Sequence, residues 1–146
     1  MCGIVGLLED TGKGEKQTLE QQACRMATTL RHRGPDRGGV WADSKTGISL
    51  GFRRLSILDL SEAADQPMAL EDGRYVIIFN GEIYNFKDLR LNLETEGVAF
   101  RSQSDTEVLL RACMKWGIER TVKKCIGMFA FALWDSVDRR LWLVRD

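Results

Sequence analysis

The chain opens with Met1-Cys2-Gly3-Ile4-Val5-Gly6, so removal of Met1 would make Cys2 the first residue of the mature chain. A thiol and a free α-amino group would then share one residue. The pKa of an unperturbed α-amino group is about 7.7 to 8.0, so near neutral pH part of it is uncharged and can accept a proton. Cys2 would therefore combine a nucleophile with its own general base.

The residues behind Cys2 favour a strand. The run Ile4-Val5-Gly6-Leu7-Leu8 is apolar and has no helical period, which predicts a buried strand with the thiol held rigidly at its start. Cysteine also occurs at position 2 by chance, so these residues alone leave a non-catalytic interpretation open.

The composition indicates one globular domain that is large enough to bury a core. The 146 residues are 44% hydrophobic and 29% charged, and 21 acidic and 21 basic side chains give a net charge of zero. No basic excess points to nucleic acid, and the apolar runs are shorter than the roughly 18 residues that span a bilayer. Since the start of the chain has no secretory-leader pattern, we expect a cytoplasmic protein without nucleic-acid or membrane partners.

The four cysteines form no recognisable metal or redox motif. Cys2, Cys24, Cys113 and Cys125 contain no C-x-x-C pair, and the chain has one histidine. We therefore expect no metal site. The last three cysteines fall within helical patterns, where we expect them to be small buried residues.

Apolar spacing predicts an α+β fold of hairpins and helices. The paired strands are Val40-Trp41 with residues 48–57, residues 68–70 with 75–79, and residues 129–134 with 141–144. The helices are residues 19 to about 31 after a capping box of Thr18 and Gln21, a helix between Asn85 as N-cap and Gly97, a helix between the capping box Ser104-Asp105-Thr106-Glu107 and Gly117, and residues 118–125. Antiparallel sheet with helices outside fits this order better than a parallel fold.

Three groups of polar residues interrupt this pattern. Adjacent Arg53 and Arg54 on one strand should face opposite sides, and the inward guanidinium needs an anionic ligand or a protein carboxylate. Arg31-His32-Arg33 is typical of cations at the C-terminal end of a helix. Asn80-Gly81-Glu82 is predicted to lie in a loop between a strand end and a helix start, where polar functional groups are held on a rigid frame.

Seven segments follow one another along the chain: Met1-Cys2-Gly3-Ile4-Val5-Gly6, Arg31-His32-Arg33-Gly34-Pro35-Asp36, Arg54-Leu55-Ser56-Ile57, Gln66-Pro67-Met68, Asn80-Gly81-Glu82-Ile83-Tyr84-Asn85, Ser104-Asp105-Thr106-Glu107 and Gly127-Met128-Phe129-Ala130-Phe131-Ala132. In this order they resemble the N-terminal glutaminase domain of glutamine-hydrolysing asparagine synthetases. That domain is a class II glutamine amidotransferase. The resemblance implies an N-terminal-nucleophile hydrolase sandwich, with two antiparallel sheets between helical layers.

The resemblance also implies roles for individual residues. Cys2 would attack the side-chain amide of glutamine, and the Asn80 side chain with the Gly81 backbone N–H would form the oxyanion hole. Arg54 would bind the α-carboxylate of glutamine, and Glu82 and Asp105 its α-ammonium. The reaction implied is hydrolysis through a γ-glutamyl thioester, with ammonia released. No cofactor is implied for this domain, because ATP and magnesium belong to the synthetase domain.

The resemblance covers residues 1–146 as one glutaminase domain, with its C-terminal part and the synthetase domain absent from this sequence. The expected partners are L-glutamine and a synthetase domain in the same or another chain, and a homodimer is left open. Two alternatives remain. One is a catalytically idle domain that binds glutamine or docks a partner, and the other is a cysteine hydrolase that uses a Cys2–His32 pair.

Overall fold

Seven strands and four α-helices make up the part of the chain that the computed structural model describes, residues 2–9, 15–55 and 62–146. The strands are β1 Gly3–Leu8, β2 Arg37–Asp43, β3 Ile48–Arg54, β4 Met68–Ala69, β5 Tyr75–Ile83, β6 Gly127–Asp135 and β7 Arg140–Arg145. The helices are α1 Lys16–Thr29, α2 Phe86–Thr95, α3 Asp105–Trp116 and α4 Ile118–Lys124. No helix in these ranges is long and apolar enough to cross a membrane.

The strands form two sheets in which every pair is antiparallel. The first sheet has the order β1-β3-β2 and the second the order β4-β5-β6-β7. Strand β4 pairs with β5 through Met68 opposite Ile77 and Ala69 opposite Val76. Because β4 is so short, the second half of β5 has β6 on one side and no β4 residue on the other.

The two sheets pack face to face, with helices on both outer surfaces. Alternate residues of β3, such as Leu50 and Phe52, meet Ile78 of β5 in a buried core between the sheets. Helix α1 covers the first sheet so closely that a Cβ on Gly51 would lie 2.9 Å from the backbone oxygen of Ala23. The other three helices pack on the second sheet. The expected α+β sandwich, two antiparallel sheets between helical layers, is confirmed.

The N-terminal end of α1 differs from the prediction. The helix begins at Lys16 rather than after Thr18, and the backbone N–H of Thr18 bonds to the backbone oxygen of Glu15. Thr18 therefore lies in the first turn and cannot cap it. The predicted strand at residues 48–57 ends at Arg54, and the last two of its predicted residues lie outside the described ranges.

Two other side chains behave differently from their predicted roles. Asn85 precedes α2 as expected, but its amide bonds to the backbone oxygen of Lys124 and the backbone N–H of Ile126 instead of capping the helix. Cys24 is exposed on α1, whereas Cys113 is buried as predicted and burial raises its pKa to about 12. The capping box at Ser104 is confirmed in part, because its hydroxyl accepts the Glu107 N–H at 3.2 Å.

Candidate active site

A cavity of about 160 Å³ lies at one end of the space between the two sheets. All the residues that the sequence singled out for the reaction line it: Cys2, Arg54, Asn80, Gly81, Glu82 and Asp105. Cys2 immediately precedes β1, and the others lie on β3, on β5 and at the start of α3, so the site is assembled from positions 2 to 105 of the chain. The fold therefore brings the predicted nucleophile, donors and charged groups to one place.

Cys2 stands immediately before β1, next to the end of β3. Its Sγ accepts the Leu55 N–H at 3.4 Å and lies 3.7 Å from the Leu55 backbone oxygen, to which the thiol can donate. The Nε of Arg33 donates to the Cys2 backbone oxygen at 3.0 Å. The interpretation of Arg33 as a helix-end cation is therefore wrong, since this side chain holds the residue that carries the thiol.

Asn80, Gly81 and Glu82 lie within β5, and the predicted loop is wrong. These residues continue the pairing with β6, with Gly81 opposite Phe129. A Cβ on Gly81 would overlap the backbone oxygen of Met128, so only glycine lets the two strands approach this closely here. Sequence patterns missed the extension because polar residues at the end of an apolar run look like a loop.

The edge of β5 that faces away from β6 explains how a backbone donor can face the cavity. The N–H of Phe79 donates to Gln66 Oε1 at 2.6 Å, and the N–H of Ile83 donates to Asp105 Oδ2 at 3.1 Å. Alternate N–H groups of a strand point to the same edge, so the N–H of Gly81, between them, points there too. With no β4 residue opposite, this donor is directed to the cavity.

The Asn80 side chain lies on the face of β5 that is turned towards the first sheet, as Ile78 does. Its Oδ1 is buried and has no hydrogen-bond partner within the described ranges. A buried amide oxygen without a partner is costly, but because it can only accept, the donor that Asn80 could offer to a substrate oxygen is its Nδ2 group. Asn80 and Gly81 together offer two neutral donors at one position on a rigid strand.

The two adjacent arginines separate as predicted, one to each face of β3. Arg53 turns outwards and donates to the Gly34 backbone oxygen at 2.9 Å. Arg54 turns inwards, is 6% exposed and lines the cavity, where it forms an ion pair with Asp65. The sequence left open whether the inward guanidinium pairs with an anionic ligand or with a protein carboxylate. In the structure its partner is a carboxylate, that of Asp65.

The acidic end of the cavity is formed by Asp105 and Glu82. Asp105 is the first residue of α3 and is 6% exposed. Burial raises its pKa above the ordinary range, and the negative charge of Glu82 adds to this, although N–H bonds from Ile83 and Thr106 oppose it. Glu82 itself is exposed at the cavity mouth. A cation placed beside these two carboxyl groups would favour their ionised forms.

Sequence reasoning missed Gln66 and Thr106, which also line the cavity and bond to each other at 3.2 Å. Gln66 belonged to a recognised segment, but no pattern in the sequence distinguished its side chain. His32 is exposed, its Nδ1 donates to the Thr29 backbone oxygen at 3.2 Å, and it does not line the cavity, which gives no support to a Cys2–His32 pair. Among the described residues, no three metal-ligating side chains cluster.

Comparison with known proteins agrees with this geometry. A family model described as a glutamine amidotransferase domain matches residues 1–146, the whole chain. The chain belongs to this family. It is 44% identical over 146 residues to asparagine synthetase [glutamine-hydrolyzing] 1 of Bacillus subtilis, and 38% identical over 157 residues to a putative asparagine synthetase [glutamine-hydrolyzing] of Mycobacterium tuberculosis. Both alignments cover all of this glutamine amidotransferase domain. They cover only 22% and 24% of the length of the two relatives, so the chain spans about a quarter of their length or less.

A solved structure supports the fold of the amidotransferase domain independently. The glutamine phosphoribosylpyrophosphate amidotransferase of B. subtilis superimposes with a TM-score of 0.67, covering 92% of this chain and 34% of that chain. The sequence identity is 21%, so this likeness concerns the fold. That fold is the N-terminal-nucleophile hydrolase sandwich.

Proposed function

We propose that this domain hydrolyses glutamine to glutamate and ammonia, with a γ-glutamyl thioester on Cys2 as intermediate. The observation that carries the proposal is the meeting of a thiol, two neutral N–H donors, a guanidinium and two carboxyl groups around one cavity of about 160 Å³. Membership of the glutamine amidotransferase domain family supports glutamine as the substrate.

Glutamine would bind through its two charged ends. Its α-carboxylate would pair with Arg54, whose guanidinium presents several N–H donors in a fork, so that Asp65 and a substrate carboxylate can both be contacted. Its α-ammonium would lie against Asp105 and Glu82. Since the side chain of glutamine is uncharged, its amide could then extend to the apolar side of the cavity, where Cys2 is held by Leu55.

The chemistry would begin at the start of the mature chain. The α-amino group of Cys2 would take the thiol proton, and the Sγ would form a bond to the amide carbon of glutamine. Negative charge on the tetrahedral oxygen would be met by the Asn80 side-chain N–H and the Gly81 N–H, donors that need no reorganisation. The ammonium would return its proton to the leaving nitrogen, ammonia would depart, and water would hydrolyse the thioester to glutamate and free thiol.

The relatives' names support an amide-forming enzyme as the destination of the ammonia. We propose a synthetase domain of the asparagine-synthetase type, in the same or a separate chain, as the partner of this domain. ATP and magnesium would serve that domain, and hydrolysis of glutamine to glutamate and ammonia balances without a cofactor.

The test is a labelling experiment with 6-diazo-5-oxo-L-norleucine, a glutamine analogue that alkylates the nucleophile. We expect the intact mass to show loss of Met1 and one adduct, and peptide mapping to place the adduct on Cys2, with Cys2→Ser unlabelled. Cys24→Ser is a matched control, because Cys24 is an exposed thiol away from the cavity, and should be labelled like the parent. A chain that has lost Met1 but takes no label would favour the idle, glutamine-binding alternative.

A further inference from the structure

We propose that Gln66 is a positioning residue, whose side-chain amide holds the oxyanion strand β5 at a set distance from the N-terminus of α3. The inference rests on the proposed function, because it assigns Gly81 on β5 and Asp105 on α3 to one reaction. It adds a residue that would not touch the reacting atoms but would place the Gly81 N–H, which contacts the tetrahedral oxygen, and Asp105, which contacts the substrate ammonium.

Both ends of the Gln66 amide are engaged. Its Oε1 accepts the Phe79 N–H at 2.6 Å, and its Nε2 donates to the Thr106 hydroxyl at 3.2 Å. The side chain is 8% exposed and forms part of the cavity wall. A backbone N–H can bond only to the amide oxygen, so the orientation of the amide follows from its partners.

Gln66 also ends the pairing between β4 and β5. The register that places Met68 opposite Ile77 would, if continued, place Gln66 opposite Phe79. There a side-chain oxygen takes the N–H that a neighbouring strand would otherwise accept. The next N–H on this edge belongs to Gly81 and is directed to the cavity, so the place where Gln66 stops the ladder determines which donor faces the substrate.

Two links then join β5 to α3, one on each side of Gly81. On one side Phe79 is joined through Gln66 to Thr106, and on the other Ile83 is joined directly to Asp105 at 3.1 Å. Loss of the Gln66 link would leave this edge of β5 tied to α3 on only one side of Gly81, through Ile83. A misplacement of about 1 Å in such a site can cost about 100-fold in rate.

The backbone of Gln66 lies against the opposite sheet. A Cβ on Gly39 of β2 would overlap the Gln66 backbone oxygen, so the two backbones are in close contact there. Gln66 therefore lies against the sheet that carries Arg54, while its side chain reaches the other sheet and α3. Gln66 therefore contacts both the sheet that carries Arg54 and the strand that carries Gly81.

The experiment compares Gln66→Met, Gln66→Glu and Leu93→Ala in the full chain, using L-glutamine as the substrate. Methionine fills a similar volume but can neither accept from Phe79 nor donate to Thr106. A carboxylate at position 66 can accept from both groups, because the Thr106 hydroxyl can turn to donate. Leu93 is a buried core residue on α2 outside the cavity, so its truncation lowers stability without touching the site.

We expect Gln66→Met to lower kcat by about 10- to 100-fold and to move the amide NMR signals of Phe79 and Gly81. Gln66→Glu should restore the Phe79 signal and most of kcat, and Leu93→Ala should change stability but not kcat. The inference is overturned if the Gly81 signal is unmoved in Gln66→Met, or if its kcat falls no more than that of Leu93→Ala. A parent chain that does not turn over glutamine would refute the proposed function, and the NMR signals would then decide the role of Gln66.

Discussion

The carboxylate of Asp105 accepts the backbone N–H of Ile83 at 3.1 Å, which ties the first residue of α3 to the strand that carries Gly81. The same carboxylate is buried in the cavity wall, and burial raises its pKa. An ammonium group placed beside it would favour the ionised form. The ionisation of Asp105 should therefore be coupled to the binding of glutamine.

The first prediction is an acid-side loss of glutamine affinity. As the pH falls through the raised pKa of Asp105, its carboxylate gains a proton and no longer attracts the substrate ammonium, so KM should rise. Asp105→Asn should raise KM at neutral pH by about 10- to 100-fold and shift the acid limb of kcat/KM. Asp88→Asn, in the first turn of α2, is the matched control. A profile for Asp105→Asn identical to the parent's would contradict this assignment.

The second prediction concerns the oxyanion donors. Asn80→Ala should lower kcat by about 100- to 1000-fold with little change in KM, because the donor acts on charge that develops in the transition state. Asn92→Ala, on the exposed surface of α2, should leave both constants unchanged. Steady-state kinetics separates the two parameters. If the whole loss in Asn80→Ala appeared in KM, Asn80 would be a substrate-binding residue instead.

The third prediction uses the two adjacent arginines of β3. Arg54→Lys keeps the charge opposite Asp65 but loses the fork of donors, so KM for glutamine should rise by at least about 10-fold. Arg53→Lys changes the same side chain on the other face, outside the cavity, and should leave KM near the parent value. Equal effects of the two substitutions would show that Arg54 acts through the fold and not through the substrate.

The fourth prediction is on acid stability. Arg74 donates two hydrogen bonds to the buried Asp135, at 2.9 and 2.7 Å, and lowers the pKa of Asp135 from 3.8 to about 2. Since the folded-state pKa is the lower one, this contribution is present above about pH 4 and is lost as the pH falls towards 2. Urea midpoints measured across this window should fall in the parent, and less steeply in Asp135→Asn, which should start lower at pH 7. Parallel curves would contradict the role of the ion pair.

Much of the fold could be predicted because it depends on local patterns. Apolar residues at alternate positions of β3 turn to the core between the sheets, and those at spacings of four in α1, Leu19, Ala23 and Ala27, form the buried face of that helix. The predicted hairpins and helices occur at these places. The start of α1 was predicted wrongly, because Thr18 lies in the first turn with its N–H bonded to Glu15. The start of α2 after Asn85 was predicted correctly, although the Asn85 side chain bonds to Lys124 and Ile126 instead of capping the helix.

The sequence by itself determined the layered α+β fold and the chemical groups of the site, Cys2, Arg54, Asn80, Gly81, Glu82 and Asp105. Only the tertiary structure decided that Asn80, Gly81 and Glu82 lie in a strand, that Arg33 holds the backbone of Cys2, and that Gln66 closes the edge of β5. The reason is physical. A burial pattern repeats every few residues, so it can be recognised from neighbouring side chains. The hydrogen bonds of Arg33 to Cys2 and of Phe79 to Gln66 join residues 31 and 13 positions apart, and they form only once the sheets have packed.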